Sequence, residues 1–388
     1  MALQDKLAFI IPSLTWGGAE LQLIKQLKLL KDNGYDAHLI VLGDQLDLIK
    51  EVDLDSNHIL LLKVSSGNFL NQSGVLKSLQ ASLSILKFLR SRKINVVIGV
   101  LPLAHWVSRL TVIIGRFLFY RIKLFQYHKS EQFRANPKNT TAKRIYHGVN
   151  SMLAWFCDYG SIFISRAVFE DISKAQFVRR PEIVYNFVEG KNIDELYARE
   201  YLKIRNKSFK TLLLIPGRLH PVKGQLFFLN ANRSYLTPAR MEESKILLIM
   251  AGGGTEEEAI VKLTEKMGIA DHVVITGFVE NNLLLSFMKL ADLVIIPSLF
   301  EGLGNVAIEG IMLKKKVLAS DAGGLREILG DCNCGKLFQA GNAVDLQSKF
   351  IDAMEGNLTF NSEAGYAWYK EKFTPQTHIQ NLIRVLKK

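Results

Sequence analysis

The stretch of sequence that decides the fold is residues 293–329, LVIIPSLFEGLGNVAIEGIMLKKKVLASDAGGLREIL. Its first four residues are apolar and rich in β-branched side chains, as in a buried strand, and Pro297 and Ser298 end them. A glycine loop follows at residues 301–304, and the apolar residues after Asn305 recur with helical spacing. The stretch therefore predicts a strand, a loop and a helix. With Asn305 as its predicted N-cap, the helix offers unpaired N–H groups that suit a phosphate.

Two carboxylates bracket this loop, Glu301 before the glycines and Glu309 about one turn into the predicted helix. Backbone N–H groups bind phosphates, and carboxylates accept hydrogen bonds from hydroxyl groups. A nucleotide sugar carries both kinds of group. The residues alone leave a second interpretation open, an ordinary strand–loop–helix unit with surface acids, because glycine loops before helices are common in doubly wound folds.

The pattern of Glu301, EGLGN and Glu309 resembles the Glu-x7-Glu signature of the retaining, nucleotide-sugar-dependent glycosyltransferases of family four. The segments PSLFEG and DAGGLREI on either side are similar to that family as well. The resemblance implies the GT-B fold, with the first glutamate and its loop on the donor sugar and the second glutamate on the ribose. By resemblance these donor-binding roles fall on Glu301, Gly302, Leu303, Gly304, Asn305 and Glu309.

Three earlier loops in the same half of the chain follow predicted strands. In the first, GRLHPVKG, Arg218 and Lys223 supply two fixed positive charges, which a departing diphosphate needs where no metal is present. This loop resembles the diphosphate-binding pair of the family, and solvated surface cations are the alternative. The second loop, which contains Gly253, is expected to form a wall of the nucleotide site, although a plain flexible turn explains it as well. The third loop, which contains Gly277 and Phe278, is expected to contact the base. The residues assigned to the donor in these three loops are Gly217, Gly253, Gly277 and Phe278.

The N-terminal half opens with a strand–helix–strand pattern that has Gly17 and Gly18 at its first turn. It lacks G-x-G-x-x-G, so it is not a dinucleotide fingerprint. The GGAE sequence resembles the first-loop motif of the same family, which borders the donor phosphates, and a plain tight turn is the alternative. His128 follows a predicted strand at residues 124–127, where the family often has a histidine near the donor sugar. A structural histidine explains that position equally well.

Strands alternate with helices in both halves, so the sequence predicts an α/β protein of GT-B fold, with two Rossmann-like domains facing across a cleft. Residues 1–186 are predicted to bind the acceptor and residues 187–374 to bind the nucleotide sugar. The first residues of the second domain, 187–210, are charged and weakly periodic and are expected to be a connection. Residues 375–388 are predicted to be a helix that crosses back to the first domain, by analogy with other GT-B enzymes.

Positive charge is concentrated in the N-terminal half of the chain. The net charge is +12, and residues 1–186 carry 24 Lys and Arg against 14 Asp and Glu, whereas the remainder carries 25 against 23. Residues 56–157 hold fifteen basic residues and one acid, which indicates an anionic partner. Residues 103–124 mix arginines with aromatic side chains and are predicted to be a helix at a membrane interface. A core helix with a basic edge is the alternative.

Composition also bears on the compartment. No run of about eighteen apolar residues occurs, and the N-terminus indicates a first strand, not a signal peptide. Cys157, Cys332 and Cys334 make no disulfide framework and suggest a reducing compartment. We therefore expect a cytoplasmic protein, peripheral on the inner face of the plasma membrane.

These patterns together predict a retaining glycosyltransferase. It would move a sugar from a nucleotide diphosphate, expected to be UDP, to a hydroxyl of a glycan or lipid-linked acceptor in bacterial surface polysaccharide or lipopolysaccharide assembly. No Asp-x-Asp motif stands at a strand end, so no metal and no cofactor are expected.

The alternatives are a non-enzymatic protein that binds nucleic acid or membrane, and another GT-B enzyme such as an epimerase or a phosphorylase. No nucleic-acid-binding module is recognisable, so no nucleic-acid partner is expected. The residues predicted to act in catalysis are Arg218, Lys223, Glu301 and His128.

Overall fold

A computed structural model describes residues 6–63, 72–131, 140–190, 193–204 and 209–388 of the chain. The chain divides into two compact units, which we call unit 1 and unit 2. Unit 1 comprises Met1–Tyr185 and His378–Lys388, and unit 2 comprises Asn186–Thr377. Each unit contains one parallel β-sheet with helices between its strands, so each is an α/β fold.

The sheet of unit 1 has seven strands in the described part of the chain. In chain order they are β1 (Lys6–Ile11), β2 (Asp36–Val41), β3 (Ile59–Leu61), β4 (Val96–Val100), β5 (Lys123–His128), β6 (Gly160–Phe163) and β7 (Pro181–Ile183). Their order across the sheet is β3-β2-β1-β4-β5-β6-β7, and every neighbouring pair is parallel. The central strands are buried almost throughout, because helices cover a parallel sheet on both faces.

Five helices of unit 1 connect these strands. They are α1 (Gly18–Asp32), α2 (Gln72–Arg92), α3 (Pro102–Phe117), α4 (Thr141–Cys157) and α5 (Arg166–Ala175).

The sheet of unit 2 has six strands, again all parallel. They are β8 (Thr211–Pro216), β9 (Ile246–Ala251), β10 (Val273–Ile275), β11 (Leu293–Ile296), β12 (Val317–Ser320) and β13 (Lys336–Phe338), in the order β10-β9-β8-β11-β12-β13. In this order β8 lies between β9 and β11, so loops that are far apart in sequence meet at the carboxyl ends of the strands.

The remaining helices begin in unit 2. They are α6 (Glu195–Ile204), α7 (Gln225–Ala231), α8 (Pro238–Glu243), α9 (Glu257–Met267), α10 (Asn281–Leu290), α11 (Asn305–Met312), α12 (Ala343–Met354), α13 (Ser362–Lys372) and α14 (Pro375–Lys387). From His378 onward, the last helix belongs to unit 1. There the Nδ1 atom of His378 lies 2.6 Å from the carbonyl oxygen of Tyr185, and the Tyr159 hydroxyl donates a hydrogen bond to the carbonyl of Lys388.

Part of the expected connection at residues 187–210 is helical. Helix α6 occupies its middle and packs on α10. Ala198 and Leu202, one turn apart, are both buried, and the ring of Tyr201 packs edge-on against Phe287 with centroids 5.2 Å apart. These few apolar positions suffice to dock the helix, although the charged residues around them obscure the helical pattern in the sequence.

The predicted interfacial helix at residues 103–124 is also wrong. Helix α3 ends at Phe117, and most of its length packs in the core of unit 1. Arg109 is 1% exposed, and its guanidinium donates to both carboxylate oxygens of Asp158, at 2.9 and 2.7 Å. A buried bidentate pair of this kind leaves Arg109 unable to contact a membrane surface. Exposure is confined to the end of the segment, where Phe119 is 96% exposed.

Cys332 and Cys334 form a disulfide, which the sequence analysis did not anticipate. Their Cα atoms lie 5.2 Å apart, within the usual range for a disulfide. Cys157 is buried and unpaired. Within the described part of the chain, each helix is too short or too polar to cross a membrane.

Candidate functional site

In unit 2 the loops after β8 and β9 are joined by main-chain hydrogen bonds. The Gly217 N–H donates to the carbonyl of Ala251, and the Leu219 N–H donates to the carbonyl of Gly253. The buried side chain of Gln225, the first residue of α7, holds the start of the β8 loop as well, since its Nε2 donates to the carbonyls of Gly217 and Arg218. The backbone of Arg218 is therefore fixed, while its side chain is exposed at the carboxyl end of the sheet.

The second half of the β8 loop packs against the loop after β11. Gly224 has φ +73°, in the left-handed region, and a Cβ atom at this position would lie 2.1 Å from the carbonyl oxygen of Pro297. The Leu299 N–H donates to the carbonyl of Val222 at 2.8 Å. Only glycine fits at this close contact between the two backbones. As a result, the adjacent Lys223 lies next to the end of β11.

Lys223 and Glu301 form an ion pair at that point, with the ammonium nitrogen 2.6 Å from Oε2 of the carboxylate. The Ser298 hydroxyl donates to the same oxygen at 3.3 Å. Ser298 is itself held by the Ser320 hydroxyl, which donates to the carbonyl of Ser298 at 2.5 Å. Both charged side chains remain partly exposed, so they can still reach a ligand. Ser298 was missed in the sequence, where it marked only the end of a strand.

The predicted N-cap at Asn305 is wrong, because Gly304 occupies the cap position of α11. Gly304 has φ +97°, which an L-residue rarely adopts, and the chain turns into the helix there. Asn305 is the first helical residue, and its side-chain oxygen accepts a hydrogen bond from Nδ2 of Asn186 instead of capping the helix. The helix N-terminus still lies next to the glycine loop, as predicted.

The other residues assigned to the donor in unit 2 lie on this loop, on α11 and on the loops after β9 and β10. Leu303 is buried, and a Cβ on Gly324 would lie 2.6 Å from its Cα, so the two loop backbones are in contact. Glu309 lies one turn into α11 and is 7% exposed. Gly253 faces the ring of Phe278, which is 76% exposed and follows Gly277 after β10. An exposed aromatic ring in this place can stack on a flat, conjugated group.

Gly17 and Gly18 lie in unit 1, at the turn between β1 and α1. A Cβ atom on Gly17 would lie 2.2 Å from Oε2 of Glu20, so the carboxylate of the first helical turn folds back over this glycine. Nothing lies within 4 Å of the corresponding position on Gly18, which begins the helix in open space. The turn is therefore partly covered by an acid that the sequence analysis did not use.

His128 is the last residue of β5 and is 1% exposed. Its ring stacks on Phe163 with centroids 4.8 Å apart and meets His105 edge-on at 4.7 Å. Neither ring nitrogen has a hydrogen-bond partner among the described residues. Burial, followed by the charges of His105 and Arg109, lowers the pKa of His128 well below 6.5, so the imidazole is neutral.

Lys129, next in the chain, was not singled out by the sequence. It is 7% exposed, and its ammonium nitrogen lies 3.7 Å from the centre of the Tyr127 ring. Burial lowers the pKa of Lys129 to about 7. At neutral pH its positive charge is therefore only partly present. The feature of the sequence that could have singled out Lys129 is its position directly after His128, at the end of a predicted strand.

The structure thus brings Arg218, Lys223 and Glu301 onto adjacent loops of unit 2, with the α11 N-terminus and Glu309 in the same loop–helix segment. Fixed cations, main-chain N–H groups and carboxylates together suit a ligand with phosphate and hydroxyl groups. Gly17, Gly18 and His128 belong to the sheet of unit 1, near the carboxyl ends of β1 and β5.

Comparison with known proteins defines the class. Residues 184–371, slightly less than half of the chain, match the model of the family described as glycosyl transferases group 1. The match covers all of the strand-end loops of unit 2, so the predicted family resemblance is confirmed.

Individual relatives match over shorter stretches. An uncharacterised glycosyltransferase of Methanocaldococcus jannaschii is 29% identical over 177 residues, which is 43% of this chain and 44% of the relative. The N-acetylgalactosamine-N,N'-diacetylbacillosaminyl-diphospho-undecaprenol 4-alpha-N-acetylgalactosaminyltransferase of Campylobacter jejuni is 27% identical over 165 residues, 42% of this chain and 41% of the relative. The chain therefore spans less than half the length of these curated relatives.

Solved structures match over the whole chain. HepE of Anabaena, in complex with UDP and glucose, superimposes with a TM-score of 0.76 at 19% sequence identity, covering 99% of this chain and 100% of that protein. At such a low sequence identity, structural similarity shows the fold alone. The predicted fold class, α/β with two parallel sheets as in GT-B glycosyltransferases, is confirmed.

The contact at Gly224 gives a direct test of the loop geometry. Gly224→Ala adds a methyl group against the Pro297 carbonyl as well as a left-handed alanine, whereas Gly356→Ala adds only the left-handed alanine, because Gly356 has φ +78° and open space around it. We expect Gly356→Ala to lower the free energy of unfolding by about 1 to 2 kcal/mol and Gly224→Ala to lower it by distinctly more. Urea unfolding followed by circular dichroism measures both. Equal losses would contradict the close approach of the two loops.

Proposed function

We propose that this protein transfers a sugar from a nucleoside diphosphate to a hydroxyl acceptor, with retention of the anomeric configuration. The observation that carries the proposal is the ion pair between Lys223 and Glu301, which places a cation and a carboxylate from two loops beside the N-terminus of α11. The family of residues 184–371 supports the reaction class. The UDP named with the Anabaena structure supports a uridine nucleotide as the donor.

The leaving diphosphate would be stabilised by charge that the protein already holds in place. Negative charge grows on the diphosphate as the bond to the sugar breaks, and cations or N–H groups aimed at it lower the barrier. Arg218, Lys223 and the first N–H groups of α11 are the groups that we assign to this task. Their backbones are fixed by main-chain contacts between loops, so little reorganisation is needed at the moment of reaction.

The carboxylates would orient the sugar and the nucleoside. In the proposed complex the diphosphate and Glu301 share the ammonium group of Lys223. The carboxylate of Glu301 can then also accept hydrogen bonds from sugar hydroxyls. Glu309, one turn further on and mostly buried, would accept hydrogen bonds from the ribose. Phe278 would stack on the base, with Gly253 and Gly277 shaping its surroundings. No covalent protein nucleophile is assigned, and no metal or cofactor takes part in these steps.

His128 and the glycine turn of unit 1 have narrower roles in this proposal. A neutral imidazole can donate one hydrogen bond and accept another, and both ring nitrogens of His128 lack partners among the described residues. We assign His128 to a sugar hydroxyl, where a neutral ring is sufficient. Gly17 and Gly18 are assigned to the donor by the resemblance of the GGAE sequence alone.

The acceptor is proposed to be lipid-linked, and the surface of unit 1 supports a membrane location. Helix α4 exposes an apolar stripe that we call the α4 face, formed by Ile145, Val149, Met152, Trp155 and Phe156. Its spacing of three and four residues places these side chains on one side of the helix. The relative from Campylobacter jejuni is named for an acceptor linked to diphospho-undecaprenol, whose polyprenyl chain is apolar.

The end of α3 continues this surface. The Arg116 guanidinium lies 4.6 Å from the centre of the Phe156 ring, and the exposed rings of Phe117 and Phe119 follow directly in the chain. Arg121 and Arg144 are exposed on the same two segments. An apolar stripe rimmed by arginines is typical of helices that lie in an anionic membrane interface. We therefore assign the α4 face, together with the end of α3, to an anionic cytoplasmic membrane surface.

Arg218 and Lys223 should affect the transition state more than the ground state. We expect Arg218→Ala and Lys223→Ala each to lower kcat by about two orders of magnitude or more with the donor that a thermal-shift screen of nucleotide sugars identifies. Lys262→Ala is the control, because it removes an exposed cation of the same unit that pairs only with Glu258, and it should leave kcat unchanged. A rise in KM alone would show that the two residues bind the donor without assisting its departure.

Glu309 should contribute to binding of the nucleotide whether or not a sugar is attached. Glu309→Gln keeps the size of the side chain and removes its charge, so UDP should bind more weakly by about 1.5 to 3 kcal/mol. Isothermal titration with UDP measures the change, and uridine should show a loss of similar size. An unaltered affinity for both ligands would remove Glu309 from the ribose.

Membrane attachment should depend on both the apolar stripe and its arginines. We expect the protein to sediment with vesicles that contain phosphatidylglycerol, to bind less as salt is added, and to bind poorly to neutral vesicles. Replacing Ile145, Met152 and Trp155 together by serine should abolish sedimentation, and replacing Arg116, Arg121 and Arg144 should remove the preference for anionic lipid. Leu196→Ser, at an exposed leucine of unit 2, is the matched control. Equal binding to neutral vesicles, or none to either, would contradict the assignment.

A further inference from the structure

Asp36, His38 and His58 form a cluster of potential metal ligands in unit 1, at the start of β2. Asp36 and His38 are two residues apart on β2, so their side chains lie on the same face of the sheet. His58 comes from a short 3₁₀ helix, Ser56–His58, that leads into β3, the neighbouring strand. One potential ligand atom from each of the three residues lies within 4.8 Å of the others.

The distances in this cluster resemble those between ligands of one ion. Oδ1 of Asp36 lies 3.0 Å from Nε2 of His38 and 3.2 Å from Nε2 of His58. Two atoms bound at about 2.0 Å in tetrahedral geometry are about 3.3 Å apart. Oδ1 of Asp36 and both ring nitrogens of His38 have no hydrogen-bond partner among the described residues. Since His38 is 2% exposed, its ring nitrogens are withdrawn from water, and the carboxylate of Asp36 is the polar group that lies nearest to Nε2.

The surroundings of the cluster also suit a bound cation. A cavity of about 110 Å³ opens beside Asp36 and His58, which gives an ion and a water molecule access from the surface. Asp55 stands 4.0 Å from Nδ1 of His58, on the side of the ring where a metal-bound histidine usually meets a carboxylate. Lys6 occupies the other carboxylate oxygen of Asp36, Oδ2, at 3.2 Å and leaves Oδ1 directed at the two imidazoles.

We propose that Asp36, His38 and His58 bind a divalent transition-metal ion of the zinc class. Two imidazoles and one carboxylate are a ligand set that such ions take, with a water molecule completing the coordination. The site lies where β2 begins, whereas ligands of parallel sheets bind at the carboxyl ends of the strands. The ion therefore has a structural role: it ties the start of β2 to the turn before β3. The sugar-transfer chemistry assigned to unit 2 is independent of it.

The test is metal binding by the complete chain, without an oligohistidine tag and under non-reducing conditions that keep the disulfide between Cys332 and Cys334 intact. We expect one equivalent of Zn²⁺ to bind in calorimetry with a low micromolar or smaller Kd, and Co²⁺ to give visible absorption bands. Bound Zn²⁺ should also raise the Tm, because an ion that binds only the folded chain stabilises it.

Variants of the ligands decide between this site and adventitious binding. His58→Gln and Asp36→Asn should each raise the Kd for Zn²⁺ at least about tenfold. Both residues are more exposed than His38, so these variants should fold, and circular dichroism verifies it. His272→Gln is the matched control, since His272 of unit 2 pairs with the single carboxylate of Glu242. Failure of the parent chain to bind Zn²⁺, or binding that both ligand variants leave unchanged, would overturn the proposal.

Discussion

Contacts between the main chains of neighbouring strand-end loops are the constraint on which the candidate site of unit 2 depends. The loop after β8 is held on one side by the Gly217–Ala251 and Leu219–Gly253 hydrogen bonds and on the other by the hydrogen bond from Leu299 to Val222. Main-chain atoms have far less freedom than long side chains, so the Cα positions of Arg218 and Lys223 are defined before any ligand arrives. The long side chains add only local adjustment, which is the arrangement expected where charge must be stabilised without reorganisation.

The sequence was sufficient for features that local chemistry determines and insufficient for features that depend on strand order. The strand, glycine loop and helix at residues 293–329 could be predicted because apolar periodicity and glycine positions act within a few residues. The ion pair between Lys223 and Glu301 could not, because it requires β8 to lie beside β11. The cap at Gly304 was misplaced by one residue, since its left-handed backbone outweighs the cap preference of Asn305.

Unit 1 shows the same limit for surfaces and clusters. The sequence shows that basic and aromatic residues occur together at residues 103–124, but it does not show which of them are buried. Arg109 is buried because its guanidinium pairs with Asp158, 49 residues later in the chain. The exposed apolar stripe instead belongs to α4, whose pattern is as amphipathic as that of many core helices. The cluster of Asp36, His38 and His58 could not be predicted from the sequence for a related reason. Its third member is twenty residues away, and only the pairing of β2 with β3 brings it near.

The buried pair between Arg109 and Asp158 has a consequence for how this protein behaves in bulk water. Arg109 also donates to Oδ1 of Asn150 on α4, so α3 and α4 are joined by buried polar contacts at the centre of their packing. The α4 face is consequently held outward in every folded copy and cannot be withdrawn by rotating the helix. An exposed apolar stripe of this kind favours association between copies as the protein concentration rises. We therefore expect mild detergent at the extraction and concentration steps to reduce that association, independently of any enzymatic activity.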